Sequence, residues 1–581
     1  MINSILLIPP PGIKMSLFAD DLVLWIIAHT LDVCFRRLQE ALDALQVWSL
    51  HWGLRFSPSK TKAIIFMRPP LLRSSRYLDH HKVLTIRGEV IDIVREHKYL
   101  GLDFDYCLSW GPHIRSIRSS IVSKVNILKA ISSTDYGADR FSILRLYKSM
   151  VRPKMEYGCV LYSSAAQCHL STLNIIQNKC LRIATGCLSR VSTKVLEVEA
   201  GVPPLKYHFD KFILNTAASI VSTRNHPLRP LINDYRFFIN SPYKPFSTRS
   251  HLCAVRYKLP ISNMAPVVPL PLAQWARMRT FIVLNDHLRK TDSPVQLLQE
   301  VRSISSRFTD LEPFFTDGSK KDATVGSGVF SRLLTRGYRI PDGFSVFDAE
   351  LFAIFTALTF IISESLHSVI YSDSQAALRA IHSGDSLHPL VNDINHKLLN
   401  TPLRIYLVWI PAHIGIHGNE MADSVAKRSL QYNIIHPAPV SPATFKLLVA
   451  DSLLTAWRTD WSSFPNFKIR LEIVPFVTEF RSSRREELTL CRLRTGVTLY
   501  TDILPRINNV WPLICEFCDV EVTIKHLLLQ CIAFHNERRP IVSYFRNANL
   551  TLTVFRLLQD NPEVIDLLLK YLKDTKLLRL L

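Results

Sequence analysis

Residues 311–430 predict an α/β domain, a mixed five-stranded sheet with flanking helices. Two observations carry this. Short apolar runs ending at turn residues recur through the stretch, as buried strands do, and between them the hydrophobic period switches to that of a helix. The segment before it reads as α+β and the segment after it as a helical tail.

The elements follow in order. PFFTDGS is an apolar run ending in Asp-Gly-Ser, which places Asp317 near the end of a strand, and ATVGSGVF and GYRI supply two more. Leu351, Ile354, Phe355, Leu358 and Ile362 then recur at helical spacing, with Glu350 in the first turns and Ala349, Ala353 and Ala357 forming a small-residue stripe for close packing. SVIYSD and RIYLVWIP read as buried strands, and Gly418-Asn419-Glu420 as a helix start that brings Asp423 into the last helix.

Asp317, Glu350, Asp373 and Asp423 thus sit where strands meet turns or helices begin. Hard divalent cations such as Mg²⁺ prefer carboxylate oxygens, and two such ions on shared carboxylates can clamp the attacking and leaving oxygens of a phosphodiester. The contexts TDGS, AEL, SDS and GNEMAD, with acids 33, 23 and 50 residues apart, closely resemble the ribonuclease H domain of non-LTR retrotransposon polyproteins. That resemblance implies two Mg²⁺ ions, with Mn²⁺ as a substitute, held by these four acids, and it implies that His413 assists proton transfer or product release. His413 and His417 also form an HxxxH pair of the kind that binds zinc, but Pro411, Gly415 and Gly418 argue against the helix that would align them.

Charge bounds the partners. The 581 residues carry 70 Lys and Arg against 49 Asp and Glu, a formal net charge of +21. Residues 314–430 hold ten Lys and Arg against eleven Asp and Glu, so the flanks carry the whole excess, +22, and would supply nonspecific attraction to a nucleic acid backbone. Apolar content of 48% excludes wholesale disorder. Eleven cysteines without framework spacing, and no secretory signal, predict an intracellular protein, with nucleus and cytoplasm not distinguished. The longest apolar run, LFAIFTALTFII, suits a buried helix and predicts no membrane span.

Before the nuclease, MSLFADDLVLW reads as strand, acidic turn, strand, with Asp20 and Asp21 at the turn. Together with HKYLGLDFDYCLSWGPHI and LRLYKSMVRPKMEYGCVLYSS, it is similar to the late palm and thumb of the same family's reverse transcriptase. The resemblance implies a truncated palm and thumb remnant over 1–200, because only seventeen residues precede Phe18 and a further palm aspartate is expected earlier. Asp103 and Asp105 fall too late to replace it. A stripe of Ile114, Ile117, Ile121, Val125 and Leu128 alternates with Arg115, Arg118, Lys124 and Lys129, predicting an amphipathic helix whose basic face is either simply solvated or also tracks phosphates on a duplex. Proline clusters predict an irregular connection over 201–310. A linker with helices follows over 431–510, a zinc-knuckle-like motif over 511–535 and C-terminal helices over 536–581.

That motif is Cys515, Cys518, His526 and Cys531, a C-x2-C-x7-H-x4-C pattern offering four ligands for a structural, tetrahedral Zn²⁺ that would organise the tail locally. Arg492 and Arg494 precede it and add basic residues beside the site. The function expected is metal-dependent endonucleolytic hydrolysis of the RNA strand of RNA–DNA hybrids, as part of a retrotransposon polyprotein. The alternatives are a noncatalytic nucleic-acid-binding relic, or an RNA-directed DNA polymerase where a fuller chain exists.

Overall fold

The computed structural model describes residues 2–66, 83–134, 137–233, 239, 244–264, 267, 271, 273–274, 281–285, 293–384, 386–464, 483–559 and 561–581. The chain divides into two compact units, Met1–Ala200 with Thr478–Leu581, and Gly201–Val477.

In the first unit, β1 (Lys14–Phe18) and β2 (Asp21–Trp25) form an antiparallel hairpin in which Phe18 faces Asp21. Helix α1 (Leu31–His51), capped by Thr30, lays Phe35 and Leu42 against Leu84, Ile86 and Ile91. Those residues belong to a three-stranded sheet of β3 (Lys62–Ala63), β4 (Leu84–Ile86) and β5 (Glu89–Ile93). A second hairpin, β6 (Glu96–Tyr99) with β7 (Leu102–Asp105), leads into α2 (Gly111–Ala130). Ile114, Ile117, Ile121, Val125 and Leu128 of α2 are buried, and the helix packs on α3 (Gln167–Thr185). The tail is built into this unit: Arg484 donates to the carbonyls of Ile183 and Ala184, satisfying groups that the end of α3 leaves open.

The second unit begins with helices, which corrects the expectation of an irregular connection over 201–310. Helices α4 (Leu205–Ser222) and α5 (Phe246–Arg256) pack together, β8 (Ile282–Val283) follows, and α6 (Pro294–Ser305) precedes the nuclease strands. The prolines mark helix starts: Pro204 and Pro245 are N-cap residues and Pro294 opens α6, where a missing N–H costs nothing. Most of the APVVPLPLAQW stretch, and 241–243 of SPYKPFS, lie outside the described residues.

The central sheet has the order β11-β10-β9-β12-β13-β8. β9 (Glu312–Lys321), β10 (Thr324–Phe330) and β11 (Thr335–Ile340) are antiparallel, whereas β12 (Ser368–Ser372) and β13 (Ile405–Trp409) run parallel to β9. The sheet therefore has six strands where five were expected. β8 adds the sixth beside β13, and Asn285 just beyond it donates to the Trp409 carbonyl at 2.7 Å.

Helix α7 (Val346–Ser363) is the core helix of the domain. It is long and apolar enough to cross a membrane by composition, but Leu351, Ile354, Leu358 and Ile361 are fully buried against the rest of the domain. Burial of each contributes about 1.5–3 kcal/mol. Helices α8 (Gln375–Ser383) and α9 (Pro389–Asn400) connect β12 to β13, and α10 (His417–Ser429) and α11 (Pro442–Ser462) follow. Gly326, Gly328 and Gly337 bring the sheet against α10 so closely that an added Cβ would strike Ala426 backbone or Ser429. On the opposite face Gly318 does the same for α7, where a Cβ would lie 2.8 Å from the Glu350 nitrogen. Helices therefore meet the sheet at the strand that carries Asp317.

Candidate active site and metal centres

Asp317 lies on β9 opposite Gly328, on the face that α10 covers. Glu350 projects from the start of α7, whose first turn is set by a reciprocal capping box between Ser345 and Asp348. Asp373 follows the last residue of β12. One carboxylate oxygen from each of these three acids lies within 4.8 Å of the others. Asp423, on α10, stands beside Asp317 and accepts from Lys427 at 2.8 Å. Three of the four expected ligands thus converge, and the fourth sits next to them, paired with a lysine.

The electrostatics oppose this arrangement unless a cation is present. Burial, and then the charges of Asp373 and Asp423, push Asp317 up to about 8. Burial followed by Asp317 and Asp373 raises Glu350 well above the ordinary carboxylate range. Asp373 is raised by burial against the opposing effects of the Asn419 amide and His413. Glu350 Oε2 is buried with no hydrogen-bond partner, an acceptor that a divalent ion would satisfy. Hard oxygen donors, mutual repulsion and an orphaned acceptor together fit a metal centre.

His413 is exposed in the loop before α10, in the left-handed backbone region with φ of +56°, and near enough to Asp373 to favour its ionised form. His417 is also exposed, with its ring edge-on to Phe330. Among the described residues neither histidine joins a group of three metal-binding side chains.

Asn419, a helix-start signal in the sequence, has a second role in the structure. Its Nδ2 donates to Asp373 Oδ2 at 3.1 Å, which fixes one oxygen of that carboxylate. The signal was the GNEMAD string itself, which puts an amide one turn before the acid.

Cys515, Cys518, His526 and Cys531 form a second group, again with ligand atoms within 4.8 Å. Cys531 Sγ lies 3.9 Å from Cys515 Sγ and 4.0 Å from Cys518 Sγ. Burial and then the Arg538 charge lower the His526 pKa, which favours the neutral imidazole that ligates, and its Nε2 is buried without a partner. Burial would raise Cys515, yet the Phe517 and Cys518 amides outweigh it and lower its pKa. Three thiols and an unpartnered imidazole nitrogen fit a soft or borderline ion.

Arg492 and Arg494 do not add a basic surface beside this group. Arg492 donates to the carbonyls of Gly186 and Leu581, and Arg494 to that of Leu558, so both fasten the first unit together. Arg115, Arg118 and Lys129 are exposed along α2, and Lys124 is half-buried. Asp20 and Asp21 are exposed at the β1–β2 turn, and among the described residues no third acidic, His or Cys side chain joins them. Asp105 accepts from the Cys107 thiol and the Ser109 and Trp110 amides, and Asp103 pairs with His113, so both serve the β7–α2 turn.

Residues 311–431 match the RNase H family. The chain is 24% identical over 193 residues to the RNA-directed DNA polymerase from mobile element jockey of Drosophila funebris, covering 33% of this chain and 20% of that protein. It is 23% identical over 228 residues to the probable RNA-directed DNA polymerase from transposon BS of Drosophila melanogaster, covering 38% of this chain and 24% of the relative. A Pol polyprotein from type-1 retrotransposable element R1 2 of Nasonia vitripennis is 21% identical over 199 residues, 33% of this chain and 47% of the relative. The chain thus spans about a fifth to a half of these relatives. Residues 311–431 form a ribonuclease H domain, carried in a chain whose relatives are retrotransposon polymerases and Pol polyproteins.

Proposed function

We propose that this domain hydrolyses the RNA strand of RNA–DNA hybrids endonucleolytically, as one activity of a retrotransposon replication polyprotein. The observation that carries the reading is the convergence of buried Asp317 and Glu350 with half-buried Asp373, with oxygens within 4.8 Å of one another and Asp423 alongside. These four acids would hold two Mg²⁺ ions. When bound, the ions supply an activated water and neutralise charge on the attacking and leaving oxygens.

The chain's own residues do the rest. Asn419 holds Asp373 Oδ2 and so orients that carboxylate. His413, exposed at the rim, delivers a proton from its imidazole to the departing 3′ oxygen. Selectivity comes from contacts to 2′-OH groups and from duplex shape, since a hybrid carries 2′-OH groups on one strand only. The exposed Arg115, Arg118 and Lys129 of α2, with Lys124, supply backbone attraction outside the nuclease. Cys515, Cys518, His526 and Cys531 would hold a structural Zn²⁺.

The reading is tested with labelled hybrid and purified full chain. Asp317→Asn and Glu350→Gln should lose nearly all cleavage while circular dichroism stays native, and the products should carry 5′-phosphate and 3′-hydroxyl ends. Full activity in either variant would refute it.

A further inference from the structure

The ribonuclease H match ends at residue 431, yet the chain does not leave the domain there. Ile435 pairs with Arg339 on the edge strand β11, the His436 amide donates to the Arg339 carbonyl at 2.7 Å, and the His436 ring packs edge-on to Tyr338. Helix α11 then begins at Pro442, capped by Ser441. Its Thr444 is buried, and the hydroxyl donates to Asp348 Oδ1 at 2.7 Å.

Asp348 is the third residue of α7, two before Glu350, and is 1% exposed. Each of its oxygens has two partners. Oδ2 takes the Ser345 amide and hydroxyl, which closes the capping box. Oδ1 takes Thr444 and, at 2.9 Å, His388 Nε2. The His388 Nδ1 accepts from the Leu390 amide, so the proton sits on Nε2 and the ring donates to the carboxylate. One carboxylate therefore locks the first turn of α7 to α11 and to the loop before α9. Next to that turn Gly318 of β9 lies against the Ala349–Glu350 backbone, with no room for a Cβ. Glu350 follows Asp348 by two residues on the same helix, so a shift of the turn would carry Glu350 with it.

We propose that α11, outside the matched family span, is a constituent of the nuclease, and that Thr444, through Asp348, is a positioning residue for the metal ligand Glu350. The inference rests on the four-carboxylate reading above. A buried carboxylate with every acceptor site used holds geometry more rigidly than apolar packing, because each bond is directional and none can be replaced by water.

The test is metal binding by the full, zinc-loaded chain without nucleic acid, with Mn²⁺ titrated and read by calorimetry and water-proton relaxation. Asp317→Asn sets the baseline. Thr444→Val keeps the shape and removes the donor, and should weaken Mn²⁺ binding about 10-fold, the low end for losing an outer partner of a metal site. Thr444→Ser restores the hydroxyl and should restore wild-type affinity. His388→Gln is an independent variant on the same oxygen and should also weaken binding, in case Thr444→Val fails to fold. Leu448→Ala loosens the packing of α11 near Gly343 without touching the network and should leave affinity unchanged.

Wild-type binding no stronger than that of Asp317→Asn would overturn the four-carboxylate reading, and this inference with it. Clear wild-type binding that folded Thr444→Val or folded His388→Gln leaves intact would overturn the inference alone. So would an equal loss in Leu448→Ala, which would indicate general loosening.

Discussion

Without metal, the acid cluster should make the ribonuclease H domain less stable as pH rises, and Asp317→Asn should abolish much of that trend. An unfolded aspartate ionises near 3.8, whereas Asp317 in the folded chain is pushed up to about 8 by burial and by Asp373 and Asp423. Between those values the unfolded chain has released a proton that the native site still holds. Stability is therefore fully present below the unfolded value and falls as pH rises toward the folded one, by about 1.4 kcal/mol per unit for one proton. From pH 5 to 7 the loss is on the order of 2–3 kcal/mol, and Glu350, raised in the same direction, adds to it. Mg²⁺ should reverse the loss, because ions bound only by the native state stabilise it. The assay is amide hydrogen exchange of β9, β10 and β12 peptides in chelator at pH 5 and 7, corrected for intrinsic rates. Equal protection at both pH values in the wild-type chain, or the same pH trend in Asp317→Asn, would refute the reasoning.

Zinc analysis should find about one equivalent, reduced by Cys518→Ser. Because Arg538 and Tyr571 bond the carbonyls of Leu527, Leu528 and Cys531, zinc loss should also raise exchange in the Pro562–Asp574 helix, and exchange confined to 515–531 would contradict this. Gly328→Ala should displace α10, since the new Cβ would sit 2.5 Å from the Ala426 nitrogen; a destabilisation of about 1–3 kcal/mol and weaker metal binding are expected in thermal melts and titration. Primer extension by this chain should be absent, as Asp20 and Asp21 stand exposed without a third acid among the described residues, and extension lost in Asp21→Asn would contradict that.

The acids were legible because each sits at a change of hydrophobic period, a local signal, and because their spacing matches a known arrangement. The same holds for the Cys515, Cys518, His526 and Cys531 group, whose pattern spans only seventeen residues, and for α2, whose five buried aliphatics keep a strict helical stripe. What escaped was non-local. β8 has two residues, and nothing in Ile282–Val283 reveals that β13 offers it an edge. The roles of Arg484, Arg492 and Arg494 depend on which carbonyls distant helix ends and the chain end leave open, so Arg492 and Arg494, expected as basic residues beside the Cys515–Cys531 motif, are internal fasteners. The prolines of 201–310 misled because Pro ends one element and begins another with the same residue, and only the three-dimensional context shows which. Nothing local to Asp348 reveals its partner Thr444, which is 96 residues away.

The most direct test of the central claim is single-turnover cleavage of three 5′-labelled substrates that share one RNA strand: alone, paired with DNA, and paired with RNA. The RNA paired with DNA should be cleaved in Mg²⁺ but not in chelator. The same strand alone or in duplex RNA should be cut much more slowly, since only the hybrid offers one 2′-OH strand opposite a DNA strand. His413→Ala should retain that selectivity with a rate reduced by about 10²-fold or less. Equal cleavage of all three substrates, or hybrid cleavage that persists in chelator, would contradict it.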